Sequence, residues 1–178
     1  MALRKAGAYS KRYTRPYTRR SSVKNRNYIK TIPPQKVTKF YMGDINGYEQ
    51  GKFKFILRLQ SKENIQIRDN AIEAARQIIN RVLEINFLGQ FFFAVKVYPH
   101  HILRENKMLT GAGSDRMSTG MQLSFGKTMG RAALVNKDQD IFFIAVSSKK
   151  AVEAVRKALY SAKAKFPCST AVVYEERK

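Results

Sequence analysis

Apolar positions recur along the chain with two different periods, and the switches between them predict its elements. Residues 52–60 (KFKFILRLQ) alternate in part between apolar and polar side chains, the two-residue period of a strand. Residues 64–68 make a short bridge. From 69 to 86 the apolar residues Ile72, Ala75, Ile79, Val82 and Leu83 follow helical spacing. Glu73, three residues after Asn70, forms an Asn-led variant of a capping box, and Gly89 marks the helix exit. Arg68, Arg76 and Arg81 fall off the stripe, as solvated or paired cations. Residues 90–98 (QFFFAVKVY) are rich in aromatic and β-branched side chains and predict a well-buried strand. Residues 132–135 and 140–146 predict two strands joined by a turn over 136–138. Ser148 is placed to cap a second helix with the stripe Val152, Val155, Leu159 and Ala162. Lys149, Lys150, Arg156, Lys157, Lys163 and Lys165 lie on its other faces. Pro167 ends it, and residues 169–174 predict a closing strand. The order β-α-β-(loop)-β-β-α-β is that of an α+β fold, with two helices over one face of a mixed sheet.

The long connection, residues 98–131, stands apart from this pattern. It holds five of the ten glycines, four of the six methionines, and five cations against the two acids Glu105 and Asp115. A loop of this length inside a domain is either functional or disordered, and its apolar content argues against disorder. Gly111, Gly113 and Gly120 permit positive φ and close backbone approach. Successive N–H groups there, beside Arg104, Lys107 and Arg116, make a cradle for an anion.

Charge gives that cradle a partner class. The chain has 34 Lys and Arg against 13 Asp and Glu, a net charge of +21. An anionic partner is required to offset the self-repulsion. The apolar runs are too short to span a bilayer, and no helix sets a basic face against a Trp/Phe-rich one, which excludes a membrane as that partner. Residues 1–43 carry twelve of the cations and no acid, interleaved with Tyr9, Tyr13, Tyr17, Tyr28 and Tyr41. Arginine offers phosphate a fork, and tyrosine offers unstacked bases a flat face. These residues predict an RNA-binding extension ahead of a single α/β domain over 44–178. No apolar leader follows Met1, and the single cysteine, Cys168, fits a reducing compartment.

Candidate chemistry is thin. Gly126-Lys127-Thr128 has the tail of a phosphate-binding P-loop, but the required earlier glycine falls at Met121, and a strand rather than a helix follows. His100 and His101 are adjacent, not spaced to share a metal from a helix, and are read as hydrogen-bonded or close to phosphate. Ser114, Asp115 and a histidine have no spacing that orients a base. No enzyme, metal or cofactor is predicted.

Several blocks resemble a known family. PYTRR (16–20), IPPQKVTKFYMGD (32–44), IRDNAIEAAR (67–76), YPHHILREN (98–106) and GAGSDRMSTGMQLSFGKTMG (111–130) are similar, in order and over nearly the whole chain, to the large-subunit ribosomal proteins called L-ten-e in archaea. Their bacterial relatives are called L-sixteen, and the pattern is of the archaeal type. The resemblance implies a two-layer α/β sandwich with a hammerhead-like β element. It implies a cytoplasmic, ribosomal protein on large-subunit rRNA, among neighbouring ribosomal proteins, that does not form an independent homo-oligomer. It also implies that the long loop lies near tRNA and the peptidyl-transferase region. Carried over by motif, that loop contributes Arg104, Glu105, Asn106, Lys107, Gly111, Gly113, Asp115, Arg116, Gly120, Gly126 and Lys127. The rRNA-binding set is Arg15, Tyr17, Arg19, Arg20, Lys24, Arg26, Lys36 and Lys39. GAYSKRY (7–13) replaces the family's cysteine-containing start, SSVKNRN (21–27) lengthens the arm, and Arg131 stands where threonine is common. The alternative is a free RNA-binding or RNA-chaperone protein acting off the ribosome.

Overall fold

Two-residue alternation is what builds the larger of two sheets in the computed structural model, which describes residues 6–10, 17–18, 23, 29–105 and 126–177. In chain order the elements are a 3-10 turn (Ala6–Tyr9), β1 (Tyr41–Gly43), α1 (Ile45–Glu49), β2 (Phe55–Ser61), β3 (Ile65–Arg68), α2 (Asp69–Phe87) and β4 (Phe91–Val95). They continue with β5 (His101–Glu105), β6 (Lys127–Val135), β7 (Asp140–Val146), α3 (Lys149–Lys163) and β8 (Thr170–Glu176). The five-stranded sheet has the order β1-β4-β7-β2-β8, and a second sheet has the order β3-β6-β5.

On one face of the large sheet Phe55, Leu57, Leu59, Phe91, Phe93, Val95, Phe142, Ile144 and Val146 meet the helices. The intervening residues Ile56, Phe92, Ala94, Phe143 and Ala145 form a smaller cluster on the other face, with Tyr48 of α1 packed against it. The expected helical stripes are the buried ones. Ile72, Ala75, Ile79 and Leu83 of α2, and Val152, Val155, Leu159 and Ala162 of α3, all enter the core, with Val82 only partly buried against it. The two helices also pack on each other.

Every strand pairing among the described residues is antiparallel, so the expected mixed sheet is two antiparallel ones. The chain reconciles this with its helical crossovers in two ways. α2 carries it from the small sheet to the large one, and α3 joins β7 to β8, which run parallel but are held apart by β2. The 64–68 bridge contains β3. Both ends of the 98–131 stretch are also strand, where β5 and β6 pair from His101↔Ala132 to Glu105↔Lys127. The turn over 136–138 is present, with Asp138 at a φ of 59° and its N–H donated to the Ser61 carbonyl at 2.7 Å.

Positive φ matters most at Gly43, where it reaches 85° and a Cβ would collide with the Phe91 carbonyl oxygen. Only glycine lets β1 end there while the Asp44 N–H donates to that same oxygen at 2.9 Å.

The capping box expected at Asn70 and Glu73 does not form. Asp69 instead takes the Asn70 N–H at 2.8 Å and the Lys36 N–H at 3.2 Å. Glu73 turns towards the preceding chain, accepting from the Thr38 hydroxyl at 3.3 Å and from Arg76 at 2.7 and 2.5 Å, a bidentate pair. Arg76, off the apolar stripe in sequence, is buried, and it also reaches Met42 Sδ at 3.1 Å. Ser148 occupies the N-cap position of α3 without a side-chain capping bond.

Removing one partner of a buried bidentate pair strands the other charge. Glu73→Ala is therefore expected to destabilise the fold by about 3–5 kcal/mol in urea denaturation. A loss below about 1 kcal/mol would show that the pair is not buried in solution.

Candidate nucleic-acid interface

The described parts of the basic extension are not detached from the fold, because residues 9, 10 and 17 and the stretch 31–38 find partners on the small sheet or on α2. Tyr9 is buried against Leu103 and Ala132 on the small sheet. Gln66 of β3 fixes its backbone, the Gln66 side-chain amide donating to the Tyr9 carbonyl at 2.5 Å and the Gln66 N–H to the Ser10 carbonyl at 3.2 Å. The Arg68 guanidinium sits 5.3 Å from the centre of the Tyr9 ring.

Further along, residue 17 lies beside β5. The Ile102 N–H donates to the Tyr17 carbonyl at 2.8 Å, and the Tyr17 N–H donates to Nδ1 of His101 at 2.7 Å. The Arg104 guanidinium lies over the Tyr17 ring, 3.2 Å from its centre. Tyr17 and Arg104, one expected on the arm and the other on the loop, are thus in direct contact. A guanidinium held flat on an aromatic ring gains a cation–π attraction and keeps the planar fork that matches phosphate.

The chain after Ile29, itself buried, is tied down by main-chain carbonyls. Thr31 accepts from the Thr128 hydroxyl at 2.9 Å, and Pro33 accepts from Arg131 Nε at 2.7 Å. Arg131, where the family resemblance leads one to expect threonine, holds the arm against β6. Its charge also acts on Asp69, whose carboxyl burial pushes up in pKa while the bonds from Lys36 and Asn70 and the charges of Lys36 and Arg131 pull it down.

His101 is the buried polar centre of the junction. Burial, and then the charges of Arg104 and His100, lower its pKa from 6.5 to about 4. The ring is therefore neutral near pH 7, and with Nδ1 accepting from Tyr17 the proton resides on Nε2.

Of the residues singled out in sequence, Lys36, Lys39 and Lys127 are exposed and Glu105 is half-buried. Gly126 precedes β6 with a φ of 153°. Lys127 and Thr128 lie within β6 itself, so no helix N-terminus follows Gly126, and a P-loop is excluded by topology. Arg15, Arg19, Arg20, Lys24 and Arg26 lie outside the described residues, as do Asn106, Lys107, Gly111, Gly113, Asp115, Arg116 and Gly120. The structure adds Tyr9, Gln66, Arg68 and Arg131 to the junction. Tyr9 was visible as one of the interleaved tyrosines and Arg131 as a departure from the family, but no local pattern marks Gln66 or gives Arg68 its role, since their partners are distant in sequence. Among the described residues no group of His, Cys, Asp and Glu is arranged to hold a metal, and no helix is long and apolar enough to cross a membrane.

A family profile described as ribosomal protein L16p/L10e matches residues 14–173. The large ribosomal subunit protein uL16 of Sulfolobus acidocaldarius is 41% identical over 174 residues, spanning 97% of this chain and 93% of that protein. Its counterpart in Thermofilum pendens is 40% identical over 178 residues, 99% of each chain. That of Methanococcus maripaludis is 40% identical over 180 residues, 100% of this chain and 97% of its own.

The depressed pKa of His101 makes arm docking dependent on pH. The fold binds the neutral ring, so this contribution is complete above 6.5 and is lost as the pH falls towards about 4. An NMR titration of the imidazole should place the His101 midpoint near 4. A midpoint at the ordinary value would mean that the ring is solvated and Tyr17 is undocked.

Proposed function

The chain belongs to the ribosomal protein L16p/L10e family, and from that premise we propose that the junction of Tyr17, His101 and Arg104 anchors its grip on large-subunit rRNA. The protein is a structural constituent of the large ribosomal subunit, partnered by rRNA and neighbouring ribosomal proteins, and it has no catalytic role. The observation that carries the proposal is the contact of arm and loop base at one point, where the Tyr17 backbone is bonded to β5 and its ring lies under Arg104.

In this scheme residues 1–43 form the rRNA-binding extension. Arg15, Tyr17, Arg19, Arg20, Lys24, Arg26, Lys36 and Lys39 neutralise phosphate or stack on bases. Residues 44–178 form the domain that positions it. β5 and β6 carry the chain out to residues 106–125 and back, which suits a segment that reaches towards tRNA and the peptidyl-transferase region. Arg104, Glu105 and Lys127 stand at its base, and Asn106, Lys107, Gly111, Gly113, Asp115, Arg116 and Gly120 lie within it. Docking of the arm on the small sheet fixes where the cations enter the RNA, and that removes part of the ordering cost of binding. The mechanism is electrostatic and steric, with phosphate neutralisation by Lys and Arg providing most of the affinity.

Sedimentation of cell extract through density gradients, at low and then raised salt, tests the role. The full chain is expected in large subunits and whole ribosomes at both. A chain lacking residues 109–118 is expected to enter subunits but to be depleted from translating ribosomes. Migration of the full chain at the top of the gradient would identify a free RNA-binding protein. Failure of the shortened chain to fold would show that the segment belongs to the core.

A further inference from the structure

A second site of nucleic-acid character lies at the edge of the large sheet, where the extension enters β1. β1 is the edge strand, and the chain entering it runs beside the end of β4, with the Val95 N–H donated to the Phe40 carbonyl at 2.8 Å. Along this seam opens a groove of about 590 Å³, lined by Lys39, Phe40, Tyr41, Lys96 and Tyr98 among others, with two lysines and no acid in its lining. Its volume falls within the usual range for small-molecule sites, roughly 300–1,000 Å³.

The aromatic rings are organised rather than scattered. Tyr98 is 51% exposed, yet it stacks with Phe40 at 5.5 Å and 25° and with His100 at 6.4 Å and 13°, making a near-parallel series of three rings. Tyr41, 59% exposed, stacks with Phe92 at 6.3 Å and 17°. The Lys96 ammonium lies 5.2 Å from the centre of the Phe143 ring. Tyr98 has a ring on each side and serves to hold the seam, whereas Tyr41 has Phe92 on one side and keeps its other face open. Exposed flat rings interleaved with cations match the π-face of an unpaired base and its phosphate.

We propose that this groove receives an unstacked nucleotide of single-stranded rRNA, its base against the open face of Tyr41 and its phosphates beside Lys39 and Lys96. The assignment rests on the ribosomal role above and gives it a specific recognition mode. A duplex cannot satisfy the site, because its bases are stacked on one another and offer no free face. An acidic peptide would use the lysines but would leave the Tyr41 face without a role.

The full chain, titrated at raised salt by fluorescence anisotropy with a short single-stranded oligoadenylate and with an RNA duplex of equal length, tests this directly. Raised salt suppresses the arm's phosphate contribution and leaves stacking in place. Tyr41→Ala is expected to weaken oligoadenylate binding by roughly 5- to 150-fold, the worth of one aromatic–base stack, and to leave duplex binding unchanged. Tyr41→Phe keeps the ring and is expected to bind as the parent does, which separates loss of stacking from loss of fold. Equal loss on both RNAs, or no loss on either, would overturn the groove assignment. If the parent chain enters large subunits while Tyr41→Ala retains full oligoadenylate affinity, the groove falls and the ribosomal role stands. If the parent never enters subunits, both fall.

Discussion

The placement of the basic extension depends on a buried ion pair. Glu73 and Arg76 lie one turn apart on α2, yet they serve the chain that precedes the domain: the Glu73 carboxylate accepts from Thr38, and Arg76 reaches both Thr38 and Met42. The guanidinium holds the Glu73 carboxyl below the ordinary carboxylate range, with burial opposing it and the amide of Gln77 assisting. A buried charge is costly unless paired and hydrogen-bonded, so this arrangement persists only while the 36–42 segment lies against α2. The segment's position in turn sets β1 on the edge of the large sheet and brings Lys36 and Lys39 to the surface. The same helix closes the core, and a local electrostatic requirement is thereby tied to global packing.

From that anchor the rest of the interface follows in sequence. Arg131 and Thr128 bind the carbonyls of Pro33 and Thr31, and the neutral ring of His101 takes the Tyr17 N–H. Burying Tyr9 and stacking Arg104 on Tyr17 fasten two points of a segment too basic to fold alone to the small sheet. Residues already held in place lose less conformational entropy on meeting RNA than free ones. The small sheet therefore does two jobs, carrying the base of the long connection on β5 and β6 and receiving the arm.

Legibility in the sequence tracked the locality of the interactions. Both long helices were readable from their periodic apolar stripes, and β2, β4, β7 and β8 from their dense apolar and β-branched runs, whereas β1, three residues at the end of the basic extension, was not. The strand β3 was not, since four residues of IQIR between polar neighbours show too little period to register. β5 follows Pro99 and begins in a pair of histidines, and the start of β6 is charged and contains Gly130, so both read as loop. Their strand state comes from pairing with each other. Glu73 was misread as a cap because its spacing from Asn70 is right, while the partner that claims it, Thr38, lies 35 residues away. The α+β class and the family were legible from pattern and motif. The junction of Tyr17 and His101, 84 residues apart, was not, because only the fold brings such residues together.

Protein–RNA crosslinking of intact large subunits, with the modified residues located by mass spectrometry, tests the central claim that the arm and the small sheet form the principal rRNA face. The account predicts that crosslinks concentrate in residues 9–41 and 96–131, with Tyr17 and its neighbours among them. Crosslinks concentrated on the lysine-rich surface of α3, with none on the arm, would contradict it.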